Sequence, residues 1–212
     1  MKTYSYEPSK FLQRRLGISI RGNLDIIRIL VYVIRDMLAS DAGPRLTDVE
    51  CDSFIVLAKD GKMSRLFIKL NTNYYYSFVF PFQILLRDGE FKIYHQDIFL
   101  NNKLLSVIIA IIESSDLTGR TILDEMILQD EITPDEEVSC LAILNLLLTV
   151  ELGYVRYEKD KVRQDKDFHP LYHLDVNCTD DAKYKFGLNK PLSFQCFLDL
   201  LNDKKKRYYL SL

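Results

Sequence analysis

With 212 residues, 48% apolar and 27% charged, the chain can bury one large core or two small ones, and its composition is that of a soluble globular protein. A formal charge of −2 and a pI near 6.0 argue against the broadly basic surface of a dedicated nucleic-acid binder, although a local basic patch stays open. The cysteines Cys51, Cys140, Cys178 and Cys196 form no CxxC pair and point to reduced thiols in an intracellular protein.

The opening stretch, MKTYSYEPSKFLQRRLG, has no apolar core and no small-residue cleavage site, so no secretion signal is read and a cytoplasmic protein is expected. The most apolar runs, Ile26–Ile34 and Leu104–Ile112, are nine residues each, whereas a membrane span needs roughly twenty.

The first twenty residues read as an arm or a short first helix. Asn23 can cap a helix through LDIIRILVYVIRDMLAS, in which Ile26, Ile27, Leu30, Ile34, Met37 and Leu38 share one face. Gly43 and Pro44 follow, suited to a helix end. The periodicity then changes to strands. Ser53–Ala58 and Met63–Leu70 flank Lys59-Asp60-Gly61-Lys62, a strong hairpin signal. Tyr74–Phe80 and Gln83–Leu86 are again β-rich, with Pro81 marking an edge or a break. A second turn, Arg87-Asp88-Gly89-Glu90, leads into Phe91–Tyr94. The expected result is a helix followed by an antiparallel meander that buries its apolar face on that helix.

Helices return at residue 101. Asn101 or Asn102 can cap KLLSVIIAIIESS, and a short break precedes Arg120–Gln129. Thr133-Pro134-Asp135-Glu136 then combines a Thr cap, Pro at the first helical position and Glu three residues on, which together make a capping box. It opens the helix EEVSCLAILNLLLTVEL, ended by Gly153. A strand YVRYE, a charged turn KDKVRQDKD and a return strand FHPLYHLDV follow.

This order, together with the segment Leu147–Tyr157 (LLTVELGYVRY), resembles the winged-helix superfamily over residues 101–176, where the third helix leads into the wing. A generic α+β domain with three helices and a hairpin is the alternative. The chain is expected to be α+β in three parts: an N-terminal helix plus antiparallel meander (1–98), the winged-helix domain that the resemblance implies (99–178), and a C-terminal helix around Pro191–Asn202, whose apolar stripe is LSFQCFLDLL, with a basic tail (179–212). It is loosely similar to the winged-helix accessory subunits of chromosome-organising ATPase complexes, which usually carry two such modules where one is identifiable here.

A DNA-reading third helix needs Arg, Lys, Asn or Gln to reach bases and phosphates. Residues 134–152 contain no Lys or Arg, and Asp135, Glu136 and Glu137 would repel phosphates. The helix is apolar on several sides, which fits either burial against the chain's own N-terminal half or docking on another chain. Leu141, Leu144 and Leu148 are the candidate partner contacts on it. Tyr74 and Tyr76, on the aromatic face that continues through Phe78, Phe80 and Phe82, join them if that sheet face is uncovered.

Candidate phosphate contacts are Lys159, Lys161, Arg163 and Lys166 in the wing, offset by Asp160, Asp165 and Asp167, and the C-terminal run Lys204, Lys205, Lys206 and Arg207. A solvated loop and a solubilising tail are the plainer readings of both.

Catalytic signatures are missing. There is no GxSxG, no phosphate-cradling glycine loop, and Phe67 stands where a restriction-type nuclease would place a carboxylate two residues before Lys69. His169, His173 and Cys178 give H-x3-H-x4-C, but on a strand the histidines would stand about 13 Å apart unless Pro170 turns the chain. No metal or cofactor is expected. The sequence therefore leads to a non-enzymatic protein-interaction subunit with protein partners, possible homo-oligomerisation and at most non-specific DNA contact; the rival is a DNA-binding regulator using the wing and basic run.

Overall fold

The computed structural model describes residues 2–39, 53–61, 63–87, 90–114, 132–177 and 184–206. The expected helix at Arg120–Gln129, the Asp88-Gly89 turn, the acidic stretch Asp48–Asp52, Cys51, Cys178 and Arg207 lie outside them.

The order of elements is β1 (Lys2–Tyr6), α1 (Lys10–Leu16), α2 (Asn23–Ala39), β2 (Phe54–Asp60), β3 (Met63–Asn71), β4 (Tyr74–Val79), β5 (Gln83–Arg87), β6 (Glu90–His95), β7 (Ile98–Phe99), α3 (Asn102–Glu113), α4 (Pro134–Thr149), β8 (Val155–Lys159), β9 (Tyr172–Val176), β10 (Tyr184–Leu188) and α5 (Phe194–Leu200). The architecture is mixed α+β with two antiparallel sheets.

Local chemistry sets the element ends. Gly61, at φ 62°, lets the β2–β3 hairpin close so that Asp60 pairs with Met63. The Asn101 side chain accepts the Leu104 amide at 2.8 Å and starts α3. At α4 the capping box is complete: the Thr133 hydroxyl accepts the Glu136 amide, and the Glu136 carboxylate accepts the Thr133 amide at 2.9 Å. Asp25 supplies the side-chain acceptor at the start of α2, taking the Arg21 amide at 2.8 Å.

The meander does not stay within the N-terminal half. Its strands split, with β5–β6–β7 forming a small sheet of their own, while the large sheet runs β1-β2-β3-β4-β8-β9-β10. Pro81 sits at the split, between the end of β4 and the start of β5. β4 pairs instead with β8, Tyr75 opposite Tyr157 and Ser77 opposite Val155. The expected divide at residues 98/99 is thus crossed by main-chain pairing. It is crossed by packing too, because one hydrophobic cluster joins Ile26, Leu30 and Ile34 of α2 with Ile108 and Ile111 of α3 and Ile143 and Leu147 of α4.

The large sheet is covered on both faces. Ile55, Leu57, Leu66, Ile68, Tyr76 and Phe78 point into the helix-covered cluster. On the opposite face Phe54, Val56, Phe67, Tyr75 and Tyr157 meet Phe194, Phe197 and Leu198 of α5. Phe54 and Phe194 pack edge to face at 4.9 Å, and Tyr75 stacks on Tyr157 at 5.1 Å. Arg65 pins the junction: its half-buried guanidinium donates to Ser77 Oγ at 3.0 Å and to the Gly153 carbonyl, and desolvation lowers its pKa to about 10. Among the described residues no helix is long and apolar enough to cross a membrane.

Candidate interaction surfaces

α4 divides lengthwise. Cys140, Ile143, Leu144 and Leu147 are buried against α3 and α2, and burial pushes the Cys140 thiol up to about 12, far from a reactive thiolate. The outward side carries Val138 (67% exposed), Leu141 (43%), exposed Asn145 and Leu148 (46%). Their spacing of three, four and three residues keeps all four on one stripe. The helix is anchored at its start by Glu136, whose carboxylate accepts from Lys103 of α3 at 2.8 Å and from the Thr133 amide, which holds its pKa at about 2.

Burial in the chain's own fold thus accounts for one side of this helix and leaves the other side exposed. Leu141 and Leu148 lie on the open stripe, whereas Leu144 is only 3% exposed and belongs to the core. Tyr76 is fully buried with its hydroxyl donating to the Leu16 carbonyl at 3.2 Å, and half-buried Tyr74 packs edge to face on it at 5.9 Å. The aromatic strand face is core, because helices cover it. It offers no partner surface in this fold. Val138 and Asn145 were missed in the sequence, although their spacing from Leu141 and Leu148 is readable there.

The basic residues fall into two separate patches. Asp160 shapes the β8–β9 loop by accepting the Val162 and Arg163 amides at 3.0 Å and Arg163 Nε at 2.7 Å. Burial raises its pKa, but these donors outweigh that and hold it at about 2. Arg163 also reaches Glu158 at 3.3 Å, and Lys159 lies over the Tyr172 ring. Lys161 and Lys166 are exposed at the tip beside Val162 and Phe168, which are 95% and 83% exposed. In the C-terminal run, Lys204 pairs with Asp60, Lys205 lies 3.8 Å from Asp199, and Lys206 is exposed. The Lys159 amide bonds Asn73 at one end of β3, and Lys204 bonds Asp60 at the other. Nine residues of strand, roughly 30 Å, separate the two.

Strands β8, β9 and β10 carry a partly buried polar cluster. Cross-strand register sets Arg156 opposite Asp175 and Glu158 opposite His173, and β10 adds Lys185 beside Asp175 at 2.8 Å. The chain bends at Leu171, just after Pro170, and the His169 and His173 rings lie 4.8 Å apart. Glu158, His173 and Asp175 hold their donor atoms within 4.8 Å of one another, the only such metal-capable trio among the described residues. His173 is fully buried, its Nδ1 is 2.8 Å from the Pro170 carbonyl, and burial lowers its pKa, so Nδ1–H donates and Nε2 is left as a lone pair. That Nε2 lies 3.8 Å from Glu158 Oε2 and from Asp175 Oδ2. The same two oxygens face Arg156 Nη2, which bonds Asp175 and stands 3.4 Å from Glu158. A guanidinium thus serves the place a divalent cation would take, and the cluster reads as an ion-pair network bracing β8 and β9.

Lys69, two residues beyond buried Phe67, lies over the Phe54 ring at 4.9 Å, packed against apolar surface. No protein-family model matches this chain, and neither the curated proteins nor the solved structures contain a significant match to it.

Proposed function

We propose that this chain is a non-enzymatic interaction subunit of a cytoplasmic complex, and that the outer stripe of α4 is the face that docks on a partner protein. The observation that carries this is the stripe itself: Val138, Leu141 and Leu148 exposed in line on a helix whose other side is locked into the core. A preformed helix binds without paying the ordering entropy of a flexible segment. In this reading residues 101–176 are a winged-helix unit whose third helix is α4 and whose wing is the β8–β9 hairpin, with the wing strands extended into a larger sheet. The third helix in that arrangement faces outward, and here its outward side is apolar and its first turn acidic. Protein suits such a face better than a phosphate backbone.

The rival, a DNA-binding regulator, has Lys161, Lys166 and Lys206 as exposed cations, but Arg163, Lys204 and Lys205 are engaged in ion pairs and the two patches lie far apart. Gel-shift titration at 50 mM and 150 mM salt, roughly the range over which phosphate-driven binding falls steeply, separates the two. The expected result is no defined complex at either salt. A tight shift that collapses with salt and with reversal of Lys161 and Lys166 would transfer the function to DNA. Affinity purification from the native host is expected to recover a stoichiometric protein partner.

A further inference from the structure

The charge pattern around the α4 stripe restricts what can sit on it. With about 100° per residue, Asp135 projects about 60° to one side of Val138 and Glu137 about 100° to the other, so carboxylates flank the N-terminal end of the stripe on both sides. Glu151 follows the C-terminal end and is exposed. Glu136 is already neutralised by Lys103. The segment 134–152 supplies no cation of its own.

The same helix of a second copy is therefore a poor occupant. Side-by-side parallel pairing sets Asp135 and Glu137 against the same residues of the other copy. Antiparallel pairing sets them against Glu151 and the carbonyl end of the other helix, where the dipole is negative. Both arrangements bring like charges together. The apolar spacing of three, four and three matches the inner seam of a paired helix, with Asn145 at a position where a polar residue fixes register.

Resting on the docking role of α4, we infer that the occupant is an amphipathic helix of a different protein, apolar at i, i+3 or i+4 and i+7, with Lys or Arg flanking that stripe where it meets Asp135 and Glu137. The cations set orientation and rate of encounter, and the apolar residues set the lifetime of the complex.

The test is photo-crosslinking in the native host with benzoylphenylalanine at Thr149, which is exposed at the margin of the stripe, and mapping of the captured peptide by mass spectrometry. The expected peptide comes from another protein, has the apolar spacing above and carries net positive charge. The paired change Asp135→Lys with Glu137→Lys, its fold checked by thermal melting, lowers crosslink yield about tenfold at low salt, as two lost ion pairs would. Capture of a second copy, a peptide without flanking cations, absence of a crosslink, or a yield unmoved by the charge change overturns the inference. Leu141→Glu with Leu148→Glu tells the two levels apart. If that variant keeps its partner, the docking role itself fails; if it loses the partner while the charge change is silent, only the basic-helix assignment fails.

Discussion

Leu144 and Leu141 are three residues apart on one helix, and the fold predicts sharply different costs for shortening them. Leu144 is 3% exposed among Ile108, Ile111 and other core residues, so Leu144→Ala removes buried methylenes and leaves a cavity that the two neighbouring helices cannot close. Such changes cost about 3 kcal/mol, within a range of roughly 2–5. Leu141 is 43% exposed, so only part of its apolar surface is lost and water refills the gap without leaving a cavity. The expected cost is about 1 kcal/mol. At about 2–4 °C per kcal/mol for a chain of this size, Leu144→Ala lowers Tm by about 6–12 °C and Leu141→Ala by about 2–4 °C. Differential scanning calorimetry of the isolated protein reads both. Equal shifts, or a larger one for Leu141, would show that α4 is rotated from the orientation described and that its apolar stripe is not open.

Three further outcomes follow from the structure. Gly153→Ala destabilises by about 1–2 kcal/mol in urea unfolding, because φ of 52° strains an L residue and its Cβ would lie 3.3 Å from Arg65 Nη1; an unchanged midpoint would contradict the turn geometry. Burial depresses the His173 pKa, so below its unfolded value near 6.5 the unfolded chain binds the proton more readily and stability falls as pH drops from 7.5 to 5.5. His173→Gln removes that portion of the fall in the urea midpoint, whereas the depressed carboxyls of Asp160 and Asp175 act only below about pH 5, where the unfolded chain begins to protonate them; an unchanged profile in the variant would deny His173 this role. Arg156→Ala leaves Glu158 and Asp175 without their shared cation and costs about 3 kcal/mol. Added zinc then raises the Tm of the variant and not of the parent protein; equal stabilisation of both would show that the guanidinium does not occupy the cation position.

Much of the local structure was legible because its causes are local. Asp60-Gly61 dictates the hairpin, Thr133-Pro134-Asp135-Glu136 dictates the start of α4, and the alternation from Tyr74 to Phe78 gives the two faces of β4. The pairing of β4 with β8 was not legible, since a strand's choice of partner depends on contacts nearly eighty residues away. The edge strands β1 and β10 carry few apolar residues for periodicity to announce them, although Tyr4 and Tyr6 alternate inward. α4 hid its division for a different reason. Residues Leu141 to Leu148 are apolar at every position but Asn145, so the pattern has no phase from which to tell the buried Leu144 from the exposed Leu141 and Leu148. The Arg156–Glu158–His173–Asp175 cluster had no local spacing at all, because cross-strand register assembles it.

The most direct test of the docking role is affinity purification from the native host of the parent chain and of the Leu141→Glu, Leu148→Glu variant, with calorimetry on both. Both substituted leucines are nearly half exposed, so the melting temperature should fall by about 4–8 °C, twice the shift of Leu141→Ala alone, with the variant still folded. The stoichiometric partner recovered with the parent should be missing from the variant. A variant that folds and still retains its partner in full would contradict the assignment of α4 as the docking face.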